Sequence, residues 1–92
     1  MIISFKHKGL KLFFHKGDVS KIQPKHEKRL RLLLGILNAA QDIKDVDFPG
    51  SKLHPLKGNL ENHWSISVNG NWRLTFKFEN GDVYVLDYVD YH

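Results

Sequence analysis

Residues 63–90 alternate apolar and polar side chains in three runs separated by two Asn-Gly pairs, and only antiparallel strands joined by tight turns bury such a pattern on one side. Trp64, Ile66 and Val68 alternate with Ser65, Ser67 and Asn69; Trp72, Leu74, Phe76 and Phe78 alternate with Arg73, Thr75 and Lys77; Val83 to Val89 follows. Asn69-Gly70 and Asn80-Gly81 supply the left-handed residues that hairpin turns require. A two-residue turn at Asn80-Gly81 pairs Phe78 with Val83, Phe76 with Val85, Arg73 with Tyr88 and Asn71 with Asp90. A three-residue loop, Asn69-Gly70-Asn71, pairs Val68 with Trp72, Ile66 with Leu74 and Trp64 with Phe76, whereas a one-residue slip would mix the faces. The expected core face is therefore Trp64, Ile66, Val68, Trp72, Leu74, Phe76, Phe78, Val83, Val85 and Val89. Asp87 falls on it without explanation. The opposite face gathers His63, Ser65, Ser67, Arg73, Thr75, Lys77, Tyr84, Leu86, Tyr88, Asp90 and His92.

Upstream, Ile2-Ile3-Ser4-Phe5 reads as a short strand. Leu10, Phe13 and Phe14 fall at helical spacing ahead of Gly17, which suits a left-handed helix end. A second helix opens at Pro24 and carries a Leu30, Leu33, Leu34, Leu37 stripe, widened by Leu32 and Ile36. Residues 41–62 lose all period and form a long connection. With 92 residues, a chain buries only about 65% of its unfolded surface, enough for one core, so residues 1–92 are expected to be a single domain. The sum is an α+β fold in the order β-α-α-β-β-β, two N-terminal helices on one face of an antiparallel-dominated sheet. No apolar run approaches the roughly 18 residues of a membrane span, the N-terminus lacks a secretory pattern, and the chain has no cysteine. A cytoplasmic protein with no membrane contact is expected.

The net charge of +4 is unevenly placed: residues 1–31 hold nine Lys and Arg against Asp18 and Glu27, and residues 32–92 hold five against eight acids. A basic half joined to an acidic one fits a polyanionic partner met by one surface. Lys6, Lys8, Lys25, Lys28 and Arg29 are the candidate phosphate contacts. Lys25, Lys28 and Arg29 crowd a helix N-terminus, where the dipole disfavours cations. The remaining histidines, His7, His15, His26 and His63, are read as surface or phosphate-contact residues.

RNA is cut when its 2′-OH attacks the adjacent phosphate, which needs a base, an acid for the leaving 5′-oxygen and cations at the phosphorane oxygens. An unperturbed imidazole gives or takes a proton near neutral pH, which makes His92 a candidate for proton transfer. Asp90 serves as a base or orients the imidazole, Arg73 offers a planar fork to phosphate, and Lys57 a mobile charge. His54 is held extended by Pro55. A metal site built from His54, His63, Asp87, Asp90 and His92 has no ligand spacing to support it, and no cofactor or metal is expected.

Met1-Ile2-Ile3-Ser4-Phe5-Lys6-His7-Lys8-Gly9-Leu10, Lys52-Leu53-His54-Pro55-Leu56-Lys57-Gly58, Trp64-Ser65-Ile66, Asn71-Trp72-Arg73-Leu74-Thr75-Phe76 and the terminal Asp90-Tyr91-His92 together resemble the HigB toxins, within the RelE family of ribosome-dependent mRNA endonucleases. The resemblance covers essentially the whole chain. It implies a RelE-like fold and a bacterial toxin of a type II toxin–antitoxin module that inhibits translation by cutting mRNA in the ribosomal A site. The implied partners are the ribosome with its 16S rRNA, mRNA and a HigA-like helix-turn-helix antitoxin, with operator DNA met only through the toxin–antitoxin complex. His54, Lys57, Arg73, Asp90, Tyr91 and His92 match the family's active-site positions, Tyr91 by this route alone, since the strand register points it away from His92. The alternative is a non-catalytic RNA- or ribosome-binding module using the same surface.

Overall fold

The computed structural model describes residues 1–58 and 62–91. Helix α1 (Lys8–Lys16) is followed by a 3-10 turn (Pro24–His26), helix α2 (Glu27–Ala39), a second 3-10 turn (Ile43–Val46), and strands β1 (His54–Pro55), β2 (His63–Asn69), β3 (Trp72–Glu79) and β4 (Asp82–Asp90). The strands form one antiparallel sheet in chain order. Ile2 and Phe5 bridge in parallel to Val83 and Leu86 along the outer side of β4, so the expected N-terminal strand exists as an edge segment. Both helices pack on one face of the sheet, where Leu10, Phe13, Leu30, Leu33, Leu34 and Leu37 meet Ile66, Leu74, Phe76, Val83 and Leu86.

Local chemistry sets the helix limits. The His7 imidazole caps α1, its Nδ1 accepting the Leu10 N–H at 2.9 Å, so this histidine serves the helix and not only the surface. Gly17, at φ +72°, ends the helix by turning its N–H back to Phe13 O at 2.9 Å. Gly9 is required on steric grounds, because a Cβ there would lie 2.2 Å from that of Lys21 and the chain after α1 crosses too closely for any other residue. The α2 stripe is buried as its spacing predicts, but Leu32 points away from it and stays 54% exposed.

The sheet registers follow the sequence reading up to two bulges. Ile66 opposes Leu74 and Trp64 opposes Phe76, as expected. The extra residue of that hairpin sits at Val68 inside β2, leaving Asn69 opposite Trp72 and Gly70-Asn71 as the turn. In the last hairpin Phe78 opposes Val83 and Lys77 opposes Tyr84. Val85 and Leu86 then face Phe76 alone, and the ladder resumes with Thr75 opposite Asp87, Leu74 opposite Tyr88, Arg73 opposite Val89 and Trp72 opposite Asp90. Val85 takes φ +48°, and its N–H is received by Ser4 Oγ at 2.9 Å, while Ser4 O accepts the Leu86 N–H at 3.1 Å. The edge segment thus satisfies the donors that the bulge removes from the ladder.

This one extra residue corrects the expected faces. Leu86 and Tyr88 turn inward and are buried, Val85 is 41% exposed, and Asp87 and Val89 move to the open face. Asp87 is no exception to the alternation, because the alternation restarts before it. A β-branched residue at positive φ is strained, at about 1–2 kcal/mol, and asparagine tolerates the conformation. Val85→Asn is expected to gain about 1 kcal/mol, raising the melting temperature by roughly 4–8 °C in a domain this size; thermal denaturation followed by circular dichroism checks it, and a lower melting temperature would contradict a left-handed Val85.

Candidate active site

The sheet face away from the helices is open, and of the expected site residues Arg73, Tyr91 and His54 lie on it. Arg73 lies on this face of β3, between Ser67 of β2 and Val89 of β4. Its guanidinium is half-buried, and Nη1 is shielded from solvent with no hydrogen-bond partner among the described residues. An ionic donor left unpaired out of water is costly, and such exceptions mark functional positions. Tyr91 follows β4 on the same face; its N–H bonds Asn71 O at 2.8 Å and its ring is 47% exposed. His54, in the edge strand β1, pairs with Ser65 and shares the row of Thr75 and Asp87; its Nδ1 is 3.2 Å from Lys52 O. From strand spacing and rise, the His54 and Arg73 backbones are about 12 Å apart, within reach of one phosphodiester through two long side chains. Lys57 is exposed beside Gly58, two residues beyond β1. Ser65, beneath this group, is fully buried with an unpartnered hydroxyl among the described residues.

Asp90 departs from expectation. The β4 bulge puts it opposite Trp72 on the helix side of the sheet, so it does not share a face with Arg73, whereas Tyr91 does. The predicted grouping of Arg73, Asp90 and His92 is to that extent replaced by Arg73 with Tyr91, and His92 lies outside the described residues. Asp90 is instead close enough to His26 and Tyr88 for its charge to act on both. Among the basic candidates, Lys6, Lys8, Lys25 and Lys28 are exposed. Arg29 is not held out to a phosphate: its Nη2 donates to Gly50 O at 3.1 Å and to Ser67 O at 3.2 Å, and the guanidinium lies 5.9 Å over the Phe48 ring, tying α2 to the connection and to β2. Among the described residues no three His, Asp or Glu side chains gather as a metal site.

His26 departs from its expected place at the surface. It is fully buried, its Nδ1 bonds the Tyr88 hydroxyl at 2.5 Å, and that hydroxyl also accepts the Gln23 N–H at 3.4 Å. With the phenol donating to Nδ1, the proton of the neutral ring sits on Nε2, which has no partner among the described residues. Trp72 lies 4.5 Å from the Tyr88 ring and 5.5 Å from His26, and His7 5.5 Å from Tyr88, so α1, the entry to α2, β3 and β4 meet at one aromatic cluster.

A family described as RelE-like toxin of type II toxin-antitoxin system HigB matches residues 3–92. The chain is 50% identical to Endoribonuclease HigB of Proteus vulgaris over 92 residues, covering 100% of both, and 36% identical to Toxin HigB-1 of Vibrio cholerae over 94 residues, covering 100% of this chain and 98% of the relative. Among solved structures it is similar in fold to the YoeB-YefM complex from Staphylococcus aureus, with a TM-score of 0.64 at 19% identity, covering 100% of this chain and 95% of that one.

The buried imidazole links stability to pH. Burial pushes the His26 pKa below its ordinary value of 6.5, Lys25 adds to the effect, and Asp90 opposes it. The unfolded chain therefore takes up a proton near pH 6.5 that the folded chain refuses, so this contribution is whole above that pH and is lost as pH falls towards the folded-state value. His26→Gln is expected to start less stable but to lose less stability between pH 7 and pH 5 than the parent, read from urea midpoints at each pH; equal losses would remove His26 as the linked group.

Proposed function

The chain belongs to the HigB family of RelE-like toxins of type II toxin–antitoxin systems, and from that membership we propose that it is an endoribonuclease that cuts mRNA in the ribosomal A site without a metal, inhibits translation in the cytoplasm, and is neutralised by a HigA-like antitoxin. The observation that carries the reading is Arg73: a half-buried guanidinium on the open face, with Nη1 unpaired among the described residues and Tyr91 following on the same face. A donor fixed in a water-poor place needs no reorganisation when negative charge builds on a phosphate.

In the proposed reaction the 2′-oxygen of one nucleotide loses its proton and bonds to the adjacent phosphorus, and the 5′-oxygen of the next nucleotide leaves with a proton. The products are a 2′,3′-cyclic phosphate and a 5′-hydroxyl. Arg73 stabilises the phosphorane oxygens, His54 and Lys57 position the phosphate and nucleotide, and Tyr91 stacks on or orients a base. Proton transfer falls to His92, and Asp90, which faces the helix side, assists it by orientation and not as a second proton carrier. Lys6, Lys8, Lys25 and Lys28 meet phosphates of the 16S rRNA or mRNA, and operator DNA is met only through the antitoxin complex.

The test is cleavage of an mRNA on programmed ribosomes with the purified protein, mapping position and chemistry of the new ends. Cuts inside the A-site codon ending in 2′,3′-cyclic phosphate are expected, and Arg73→Ala should lower the rate by about 10²–10³-fold with the fold retained. Ends bearing a 3′-hydroxyl and 5′-phosphate would overturn the 2′-OH mechanism, and tight ribosome binding without any cut would favour the non-catalytic binding module. Lys25→Gln with Lys28→Gln should weaken ribosome binding and flatten its dependence on log salt by about 0.7–0.9 per lysine; an unchanged slope would show that these charges are only solvated.

A further inference from the structure

The open face holds a pocket of about 550 Å³ in which Lys6 and Tyr91 stand beside His63, Thr75, Asp87 and Val89, four residues that the roles above leave unassigned. Its volume is in the range of small-molecule sites. Thr75 and Asp87 face each other across β3 and β4, one row along the strands from Arg73 and Val89, about 7 Å away by strand rise. Val89 is an apolar wall and the exposed Tyr91 ring stands beside it.

Asp87 is the unusual member. Oδ1 accepts the N–H of the next residue, Tyr88, at 3.0 Å, which fixes the carboxylate. Although Lys6 shares the pocket, Asp87 forms no ion pair with any described residue. A second, more open cleft shares Lys6 and Asp87 with the first and adds Lys8 and Lys21, so cations line the approach and a lone carboxylate stands at the junction. An anion on a surface built for RNA repels phosphate, but it is a strong acceptor for a base that offers an N–H edge.

We propose that this pocket receives one base of the RNA strand, and that Asp87 selects bases with an exocyclic amino group, adenine, cytosine or guanine, over uracil, while Lys6, Lys8 and Lys21 hold the flanking phosphates. Uracil offers only N3–H set between two carbonyl oxygens, which repel the carboxylate. The amino group of the other three donates to it without both flanks opposing, and the base plane lies against Tyr91 and Val89. The assignment deepens the nuclease reading and rests on it for the identity of the strand.

Binding and cutting test it separately. AMP and UMP are titrated against the purified protein while the amide resonances of Val85, Asp87 and Val89 are followed. AMP is expected to bind about tenfold more tightly than UMP, and Asp87→Asn, which keeps an oxygen for the Tyr88 N–H and turns an amide donor to the pocket, should erase or reverse that ratio. Equal affinities in the parent, or shifts confined to other surfaces, overturn the pocket. In the ribosome assay, the proportion of cuts at codons with uracil at one fixed position should rise about tenfold for Asp87→Asn relative to the parent. A parent that cuts with a base profile identical to that of Asp87→Asn overturns the selection and leaves the nuclease standing; a parent that discriminates AMP from UMP but never cuts overturns the nuclease and leaves the pocket standing.

Discussion

One extra residue in the last strand decides which side chains this sheet offers to its core and which to solvent. Without the bulge at Val85 and Leu86, strict alternation would press Asp87 against the helices and hold Leu86 and Tyr88 outside. A buried, unpaired carboxylate costs several kcal/mol, and leaving a leucine and a tyrosine in water forfeits roughly 1.5–3 kcal/mol each. The bulge removes both penalties at the cost of one strained valine and two donors lost from the ladder, and Ser4 receives both donors through its hydroxyl and carbonyl oxygens. The N-terminal segment is thus required by the bulge as well as by the core it borders.

Tyr88 carries the consequence into the rest of the fold. Once inward, its hydroxyl joins Gln23 and His26 at the entrance to α2, while its ring meets Trp72 of β3 and His7 of the α1 cap. Both helix N-termini and the two strands that carry Arg73 and Tyr91 are therefore pinned at one place. Near the end of β4, Tyr88 is anchored in the core, and the backbone of Tyr91 is tied to Asn71. A site built on a strand end gains from such an anchor the positional precision that catalysis demands.

The hairpins, both helices and the burial of the α2 stripe were legible in the sequence because period and turn chemistry agree there. The bulge was not, since Val83, Val85 and Val89 make an apolar set that fits uninterrupted alternation. Its signal was Asp87 itself, a carboxylate left on a core face without a partner, which a one-residue shift resolves while turning Leu86 and Tyr88 inward. Arg73 and Tyr91 were recognisable by residue type and family pattern. Their common face was hidden behind the same slip, which had grouped Arg73 with Asp90. Residue type alone sets His26 with His7, His15 and His63 at the surface, yet it lies four residues before Leu30 on the buried stripe, a spacing that places it inside. Nothing local announced the Arg29 contacts, which join residues 21 and 38 positions apart.

The three arginines show how little a net charge says about the use of each cation. Arg29 bonds two backbone carbonyls and covers Phe48. Arg31 pairs with Glu27 at 2.9 Å and lies over Phe13. Both guanidinium groups are engaged in holding α2 in place, as suits a planar group that stacks and forks. The exposed lysines remain as mobile, strongly hydrated charges, suited to attracting a polyanion but not to stabilising one geometry over another. Among the described residues Arg73 alone combines a fixed fork with a shielded, unpartnered Nη1. In the proposed reaction, attraction and transition-state stabilisation thus fall to different residue types. The first weakens with salt because its charges are solvated. The second is protected from salt by the same burial that leaves Arg73 short of an acceptor, so the feature that destabilises the free protein is the one that a phosphorane oxygen would relieve.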